Sequence, residues 1–338
     1  MSLLRYTLFR LALAVPVLLA ILAVTFVITH ALPTDPAVQA AGPLATAEQV
    51  VAKRQELGLD QSLGWQFVHY FGDVFTGDLG RSVFTSRPAI DEIGERLMPT
   101  LTLITAASFL AFVLGIGVAL LAADRRSGPR DWLARTFGTV GTAIPDYFLG
   151  LILIFVLYTQ LHIFPEPVGQ AGTVPPDIAV HTHSYFIDAV IAGNGSAVWA
   201  AFQHAVLPVA TLAVIYAAPI YRVARAAIEE TRRAAYVDYV TMMGGSSRLV
   251  WRYAIENAVP PILTITGIVY GVLLGGALLV ENVFAWGGIG QYAVDAVKKS
   301  DYFPIQDFVL VAAVFSVAVY IVVDLLHAAL DPRVRKAL

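Results

Sequence analysis

Asp146 is the residue whose position most directly implies chemistry. It follows Pro145, precedes Tyr147, and lies inside the apolar stretch 137–158. A carboxylate at the centre of a membrane helix costs about 2.5–3.5 kcal/mol on insertion scales. Such a group usually faces a cavity or a partner, which makes Pro145, Asp146 and Tyr147 candidates for the lining of a solute pathway. The competing reading is a helix that starts later, with Asp146 near the headgroups.

A second concentration of signals lies in the polar segment 222–257. It contains Tyr236-Val237-Asp238-Tyr239-Val240-Thr241-Met242-Met243-Gly244-Gly245-Ser246-Ser247-Arg248 and, further on, Arg252. The pattern predicts a helix, a glycine break and a second helix. Glycine accepts the left-handed angles a helix terminus needs, so Gly244-Gly245 ends the first piece. Ser246 or Ser247 caps the second. Met242 and Met243 are apolar residues in an otherwise polar loop. Adaptable methionines on a short helix suit docking into a groove of another protein. An amphipathic helix lying on a membrane would present the same residues.

Other chemistries find little support. His181 and His183 are two apart, with His162 earlier, but no cysteine or cluster of acids completes a metal-ligand set; they read as loop histidines. No G-x-x-x-x-G-K-[ST] occurs, and none of Lys53, Lys298, Lys299 and Lys336 follows a glycine. The chain therefore has no P-loop for ATP phosphates. H-E-x-x-H and G-x-S-x-G are also missing, which argues against hydrolases of those types.

The elements that must position these residues are membrane helices. Hydrophobic residues make up 57% of the 338, and charged residues only 14%. One aqueous core cannot absorb that excess. A spanning helix needs about 20 mainly apolar residues. Six stretches qualify: 11–32, 97–123, 137–158, one inside 197–221, 258–280 and 308–327. The apolar core of the first is longer than that of a signal peptide, and Val38-Gln39-Ala40 is a weak cleavage candidate. With the amino terminus in the cytoplasm, Arg5, Arg10, Arg125, Arg126, Arg130 and Arg135 lie inside. So do Arg222, Arg225, Arg232, Arg233, Arg248, Arg252, Arg333, Arg335 and Lys336. Segment 160–200, outside, has no Lys or Arg. This bias sets orientation, and both termini are expected in the cytoplasm. A net charge of −3 gives no reason to expect nucleic acid. The first outer loop, 34–96, holds a helical stretch over 47–57, with a capping box from Thr46 and Gln49. The second outer loop, with Pro165, Pro167, Pro175 and Pro176, is expected to be irregular. The expected division is a first helix with its long outer loop, 1–96, and a five-helix core, 97–338.

Several motifs extend beyond composition. Tyr236-Val237, then Gly244, then an arginine-bearing helix and Pro260 resemble the cytoplasmic "EAA" loop of permeases of bacterial ATP-binding-cassette importers. Leu32-Pro33-Thr34-Asp35-Pro36, Gly77-Asp78-Leu79-Gly80-Arg81-Ser82 and Arg96-Leu97-Met98-Pro99-Thr100-Leu101 are similar to segments of the dipeptide/oligopeptide permease family. So are Glu56-Leu57-Gly58-Leu59-Asp60-Gln61, Val280-Glu281-Asn282-Val283-Phe284-Ala285-Trp286 and Leu330-Asp331-Pro332-Arg333-Val334-Arg335. The matches run in order along nearly the whole chain. Three departures stand out. Asp238-Tyr239-Val240 replaces Glu-Ala-Ala, Thr34 replaces a glycine, and Gly287 replaces the proline usual after Trp286.

The resemblance implies an all-α, polytopic fold of the type I importer permease kind, in the inner membrane. It implies a second homologous permease subunit, two ABC ATPase subunits that carry ATP and Mg, and an extracytoplasmic substrate-binding protein. This chain itself would hold no cofactor and catalyse nothing. Tyr236, Asp238, Met242, Met243, Gly244, Arg248 and Arg252 would form the contact with one ATPase. Peptides are the commonest cargo of this branch; nickel complexes and oligosaccharides also occur. An ion-driven transporter would need buried coupling charges and often shows repeats, whereas the spans hold only Asp146 and Asp324. An intramembrane enzyme would need a clustered nucleophile, metal set or acid pair, and none is present.

Overall fold

Runs of apolar residues become long helices, even across Pro99, Pro208, Pro219, Pro260 and Pro261, and short helical runs fill the connections. The computed structural model describes residues 3–30, 35–42, 44–82, 84–123, 128–173, 176–299 and 301–330. Leu32, Pro33, Thr34, Arg125, Arg126, Pro175 and the stretch from Asp331 to Lys336 lie outside the described residues. Helix α1 is Leu3–His30, α2 Pro36–Ala41, α3 Ala47–Glu56, α4 Leu63–Thr76 and α5 Ala89–Ala123. Then follow α6 Pro129–Ala143 and α7 Asp146–Leu153, which continues as a π-helical stretch, Ile154–Gln160. Helix α8 is Tyr185–Ile191, α9 Gly195–Arg232, α10 Ala235–Met242, α11 Ser247–Val283, α12 Ile289–Lys299 and α13 Tyr302–Leu330.

Helices α1, α5, α9, α11 and α13 are each long and apolar enough to cross a membrane. The third expected span is not the continuous helix anticipated over 137–158. Those residues instead belong to the pair α6–α7, bent by 107°. Proline disfavours helical angles in the residue before it. Ile144 is accordingly extended, at φ −91° and ψ 128°, and Pro145 becomes the residue that precedes α7.

Helices α5, α9 and α11 have 35, 38 and 37 residues. At 1.5 Å per residue they are about 50–57 Å long, against a hydrocarbon core of about 30 Å. They therefore project beyond it. The carboxyl end of α9 and the amino end of α11 project together and hold α10 between them.

Small residues bring the helices together, as expected where no water drives association. The most extensive packing is α5 on α9. There Ala107, Ala111, Ala213 and Ala217 are fully buried. A Cβ on Gly115 would lie 2.8 Å from Ile220 and 2.9 Å from the Ala217 carbonyl. Helix α6 runs antiparallel along α9, with Gly138 on Tyr221 and Gly141 on Ala218. Helix α13 packs on α11, where Ser316 Oγ donates to the Gly271 carbonyl at 2.9 Å. Helix α1 lies outside α13, with Arg10 Nη1 3.0 Å from Asp324 Oδ2. These pairings place the start of α1 and the end of α13 on the same face as α10.

The connections carry more helix than their polarity suggested. Besides the expected capping box of Thr46 and Gln49 on α3, the connection between α1 and α5 contains α2 and α4. Ser62 accepts from the Trp65 amide at the start of α4, and Gly77 ends it at φ 81°. Helix α12, between the last two spans, was also not anticipated. The segment before α9, expected to be irregular, is mostly so but holds α8. It is pinned by Asp188, whose Oδ1 accepts from the Thr182 amide at 2.8 Å and hydroxyl at 2.9 Å. Burial raises the Asp188 carboxyl, but the Thr182 bonds outweigh it and hold the group below the usual carboxylate range.

Candidate functional site

Three places bring functional side chains together, starting with α10. Helix α9 stops at Arg232, and the chain turns through Arg233 and Ala234 into α10. Val237 faces inward and is buried, whereas Tyr236, Tyr239, Met242 and Met243 are exposed, Met242 at 84%. Positions three and four apart share one side of a helix, so α10 presents an aromatic and thioether face. Asp238 is also exposed, in the first turn, where a negative charge suits the helix dipole.

The break after α10 follows the local rules. Gly244 takes φ 79°, and the Gly245 amide reaches back to the Val240 carbonyl at 2.9 Å, the long bond of a Schellman ending. Ser246, extended at φ −67° and ψ 151°, caps α11 by accepting from the Leu249 amide. The Arg232 guanidinium lies 4.6 Å from the Trp251 ring centroid, tying the end of α9 to the start of α11. Arg248 is exposed. Arg252 is exposed too, but paired with Glu256 at 2.8 Å; an exposed pair of this spacing is worth only about 0.3–0.5 kcal/mol.

The second place is the α6–α7 break. Asp146 is the first residue of α7 rather than a mid-helix carboxylate. Its Oδ1 accepts from the Tyr147 amide at 2.7 Å, it is half-exposed, and Tyr147 is exposed. The break nevertheless lies deep. Gly141, just before it, packs at Ala218, near the middle of α9. The Asp146 carboxylate is within electrostatic reach of Tyr216, whose hydroxyl rests where a Cβ on Gly276 of α11 would be. Pro145, Asp146 and Tyr147 thus stand at an interruption within the bundle, exposed on this chain.

The third place, on the face opposite α10, was not singled out as a site. The Glu281 carboxylate, fully buried, accepts from Thr100 Oγ1 at 2.6 Å and from the Gly290 and Gln291 amides at 2.8 and 3.1 Å. It thereby satisfies donors in the first turn of α12 that have no partner within that helix. Gly288 and Gly290 leave room for it; a Cβ on either would lie under 3.0 Å from its oxygens. The buried Trp286 indole donates to the Pro99 carbonyl at 3.0 Å. Ser82 Oγ donates to Asp301 Oδ2 at 2.6 Å, both buried. Tyr292 donates to Glu92 at 2.9 Å. Burial and the Glu92 carboxylate push that phenol far up, so it stays a donor.

Segments quoted above as separate motifs, 77–82, 96–101 and 280–286, therefore meet in one polar cluster. The motifs themselves were the signal available in the sequence; their meeting was not. Gly287 has φ 83°, an angle closed to proline, so this loop differs in shape from one carrying the usual proline. Elsewhere, His181, His183 and His162 form no group of three possible ligands, and no such group of His, Cys, Asp and Glu occurs among the described residues.

Comparison with known proteins agrees with this architecture. Residues 115–336 match the family described as binding-protein-dependent transport system inner membrane component. Residues 3–104 match its N-terminal companion. The chain is 33% identical over 333 residues to the dipeptide transport system permease protein DppB of Alkalihalophilus pseudofirmus, covering 98% of this chain and 99% of that one. It is 37% identical over 312 residues to the probable D,D-dipeptide transport system permease protein DdpB of Escherichia coli, covering 92% of each. It is 34% identical over 333 residues to the glutathione transport system permease protein GsiC of Escherichia coli, covering 98% and 99%. A crystal structure of an amino acid ABC transporter matches with a TM-score of 0.51 at 17% identity, over 71% of this chain and 94% of that one, which supports the fold. With five helices long and apolar enough to span, a sharply bent helix pair among them and a match over most of its length, the chain belongs to the family of inner membrane components of binding-protein-dependent transport systems.

Proposed function

We propose that this chain is one of two permease subunits of an ATP-driven importer of short peptides, gripped from the cytoplasm at α10 by an ABC ATPase. The observation that carries the proposal is α10 itself. It is a short helix held between two projecting spans, with Tyr236, Tyr239, Met242 and Met243 exposed. A second homologous permease, two ATPase subunits that bind ATP and Mg, and an extracytoplasmic binding protein complete the machine. This chain holds no nucleotide and performs no hydrolysis. The start of α1 and the end of α13 lie on the α10 face, which the arginine bias assigns to the cytoplasm. The peptide cargo is supported by the relatives, named for dipeptides and glutathione.

In the working reading, ATPase closure moves α10 with the ends of α9 and α11 and switches access to the pathway around Asp146. The demand is a different set of contacts in each state, not attachment alone. Gly244 allows the turn, the methionines fill the ATPase groove, and Arg248 and Arg252 meet acidic surface, Arg252 exchanging its weak pairing with Glu256. The test is uptake of a labelled dipeptide by the complete transporter in vesicles, with its binding protein outside and ATP inside. ATP-dependent accumulation is expected. Uptake driven by an ion gradient without ATP, or of a nickel complex or oligosaccharide but not a peptide, would overturn the mechanism or the cargo respectively. A Met242→Cys variant labelled only from outside would overturn the orientation.

A further inference from the structure

Helix α4 lies in the first outer loop, and the importer reading makes no use of it. Its amino half sits against the far end of α1. Phe67 and Tyr70 lie 5.3 and 6.0 Å, centroid to centroid, from Phe26, and Gln66 Oε1 lies 3.0 Å from His30 Nε2. The apolar window of α1, Thr7–Ile28, has 22 residues. That is about 33 Å, the thickness of a hydrocarbon core. Phe26 is in its last turn and His30 just beyond, so these contacts place α4 at the boundary between acyl chains and headgroups. Further along α4, Asp73 lines a cavity of about 110 Å³ with Phe303 and Gln306. Those residues open the apolar window of α13 on the same face of the membrane. Anchored at that boundary by both halves, α4 runs along the membrane surface rather than away from it.

Its two sides differ. Trp65, Gln66, His69 and Asp73 face the cavity closed by Pro36, Leu57 and Leu59. On another side, rings follow one another from the spanning helix outward: Phe67 to Phe71 at 6.2 Å and Phe71 to Phe75 at 4.8 Å. Val68 and Phe75, seven positions apart and on the same side, are each 70% exposed. Val27 and Ile28, at the end of α1, are exposed as well. The apolar surface of a spanning helix thus continues without a charged residue onto α4. Aromatic residues favour this depth, and a helix with one apolar side lies in the interface with that side down. Between residues 63 and 76 there is no Lys or Arg, so apolar insertion, not attraction to anionic lipid, would hold it.

We infer that α4 is an interfacial helix whose Val68–Phe71–Phe75 side enters the outer leaflet of the bilayer and seats the first outer loop on the lipid surface. The inference needs only that α1 and α13 span with the amino terminus inside, so it stands whether or not the ATPase and peptide parts of the importer reading do. The chain contains no cysteine, so each introduced cysteine is its single nitroxide site, once any cysteines of the partner subunits are replaced. Val68→Cys, Phe75→Cys, His69→Cys and Thr76→Cys would each be labelled in the complete transporter, in vesicles of phosphatidylethanolamine and phosphatidylglycerol. Collision with oxygen, which concentrates in lipid, would be compared with collision with a water-soluble nickel chelate. The expected result is an oxygen-to-nickel ratio several-fold higher at 68 and 75 than at 69 and 76. Equal ratios at all four positions would place the helix in water and overturn the inference. Low collision with both reagents at 68 and 75 would mean that a protein covers this side, and would overturn it equally. Val68 is mostly exposed and makes little internal contact, so its variant tests the point even if the Phe75 variant folds poorly.

Discussion

Thr100 and Glu281, 181 positions apart in the chain, meet at 2.6 Å through hydroxyl and carboxylate, both fully buried. The pair joins the outer part of α5 to the end of α11, and through the Gly290 and Gln291 amides to α12. Removing one partner of a buried polar group leaves the others without solvent or replacement, at about 1–3 kcal/mol per group. Glu281→Ala strands two amides and a hydroxyl, so a loss of about 3 kcal/mol or more is expected. Thr100→Val removes one donor from a carboxylate that keeps two others and takes the Oγ1 acceptor from the buried Ile289 amide, which it meets at 2.9 Å, for about 1–3 kcal/mol. The double variant should cost less than the sum of the two single variants, because they share one network. Thermal midpoints of the purified transporter in detergent give the order. A Glu281→Ala protein that melts like the wild type would show that the cluster contributes no stability.

The spanning helices were legible because membrane thickness sets their length, and apolar runs of that length have few other uses. Thr46, Ser246 and Gly244 were legible because capping is decided within four residues of sequence. The break at Pro145 was not. Pro208, Pro219, Pro260 and Pro261 all sit inside continuous helices, so proline alone does not say where a span breaks. Helices α4 and α12 escaped notice because neither has a long apolar run; α4 depends on caps at Ser62 and Gly77 and on packing against α1. In the sequence Glu281 stands out only as part of the 280–286 motif. Its meaning lies in Thr100 and the first turn of α12, which no local pattern brings together. The residues of α10 could be named from sequence, but exposure on one side, with Val237 inward, required the fold.

Gly244 and Gly245 are both glycines for different reasons, and their variants should separate. Gly244 has φ 79° with open space where a Cβ would go. Alanine there pays only for the left-handed backbone, about 1–2 kcal/mol, and asparagine, which tolerates that region, should cost less. A Cβ on Gly245 would lie 2.6 Å from Val240 Cγ1 and 2.7 Å from the Val240 carbonyl, so the turn itself must open. The expected ranking of dipeptide uptake is wild type, Gly244→Asn, Gly244→Ala, then Gly245→Val, the last close to zero with normal membrane insertion. ATP hydrolysis stimulated by the binding protein should fall in the same order. Full uptake by Gly245→Val would mean that the geometry of this turn is not needed for coupling.

Arg225 on α9 holds three groups at once: Asp131 of α6 at 2.6 Å, and Glu229 and the Tyr221 hydroxyl at 2.8 Å each. Asp131 has a second partner, Arg135, but that side chain is largely exposed, whereas Arg225 is only 13% exposed. The two ends of the pair are therefore unequal. Asp131→Ala leaves Arg225 with Glu229 and Tyr221, whereas Arg225→Ala leaves Asp131 with one solvent-exposed arginine, leaves Glu229 with only the exposed Arg233 at 3.7 Å, and takes the donor from the Tyr221 hydroxyl. Arg225→Ala should lower the thermal midpoint more. Exchanging the charges, Asp131→Arg with Arg225→Asp, should restore function only in part, because the new arginine faces Arg135 and the new aspartate faces Glu229. Helix α6 leads from this pair straight to Pro145, and α9 leads from it to α10. On the importer reading, loosening the pair should let α10 move without carrying the α6–α7 break along. Dipeptide taken up per ATP hydrolysed should then fall in Arg225→Ala while hydrolysis continues. A ratio equal to that of the wild type, in a variant that still folds, would confine the pair to stability and remove it from the route between α10 and Asp146.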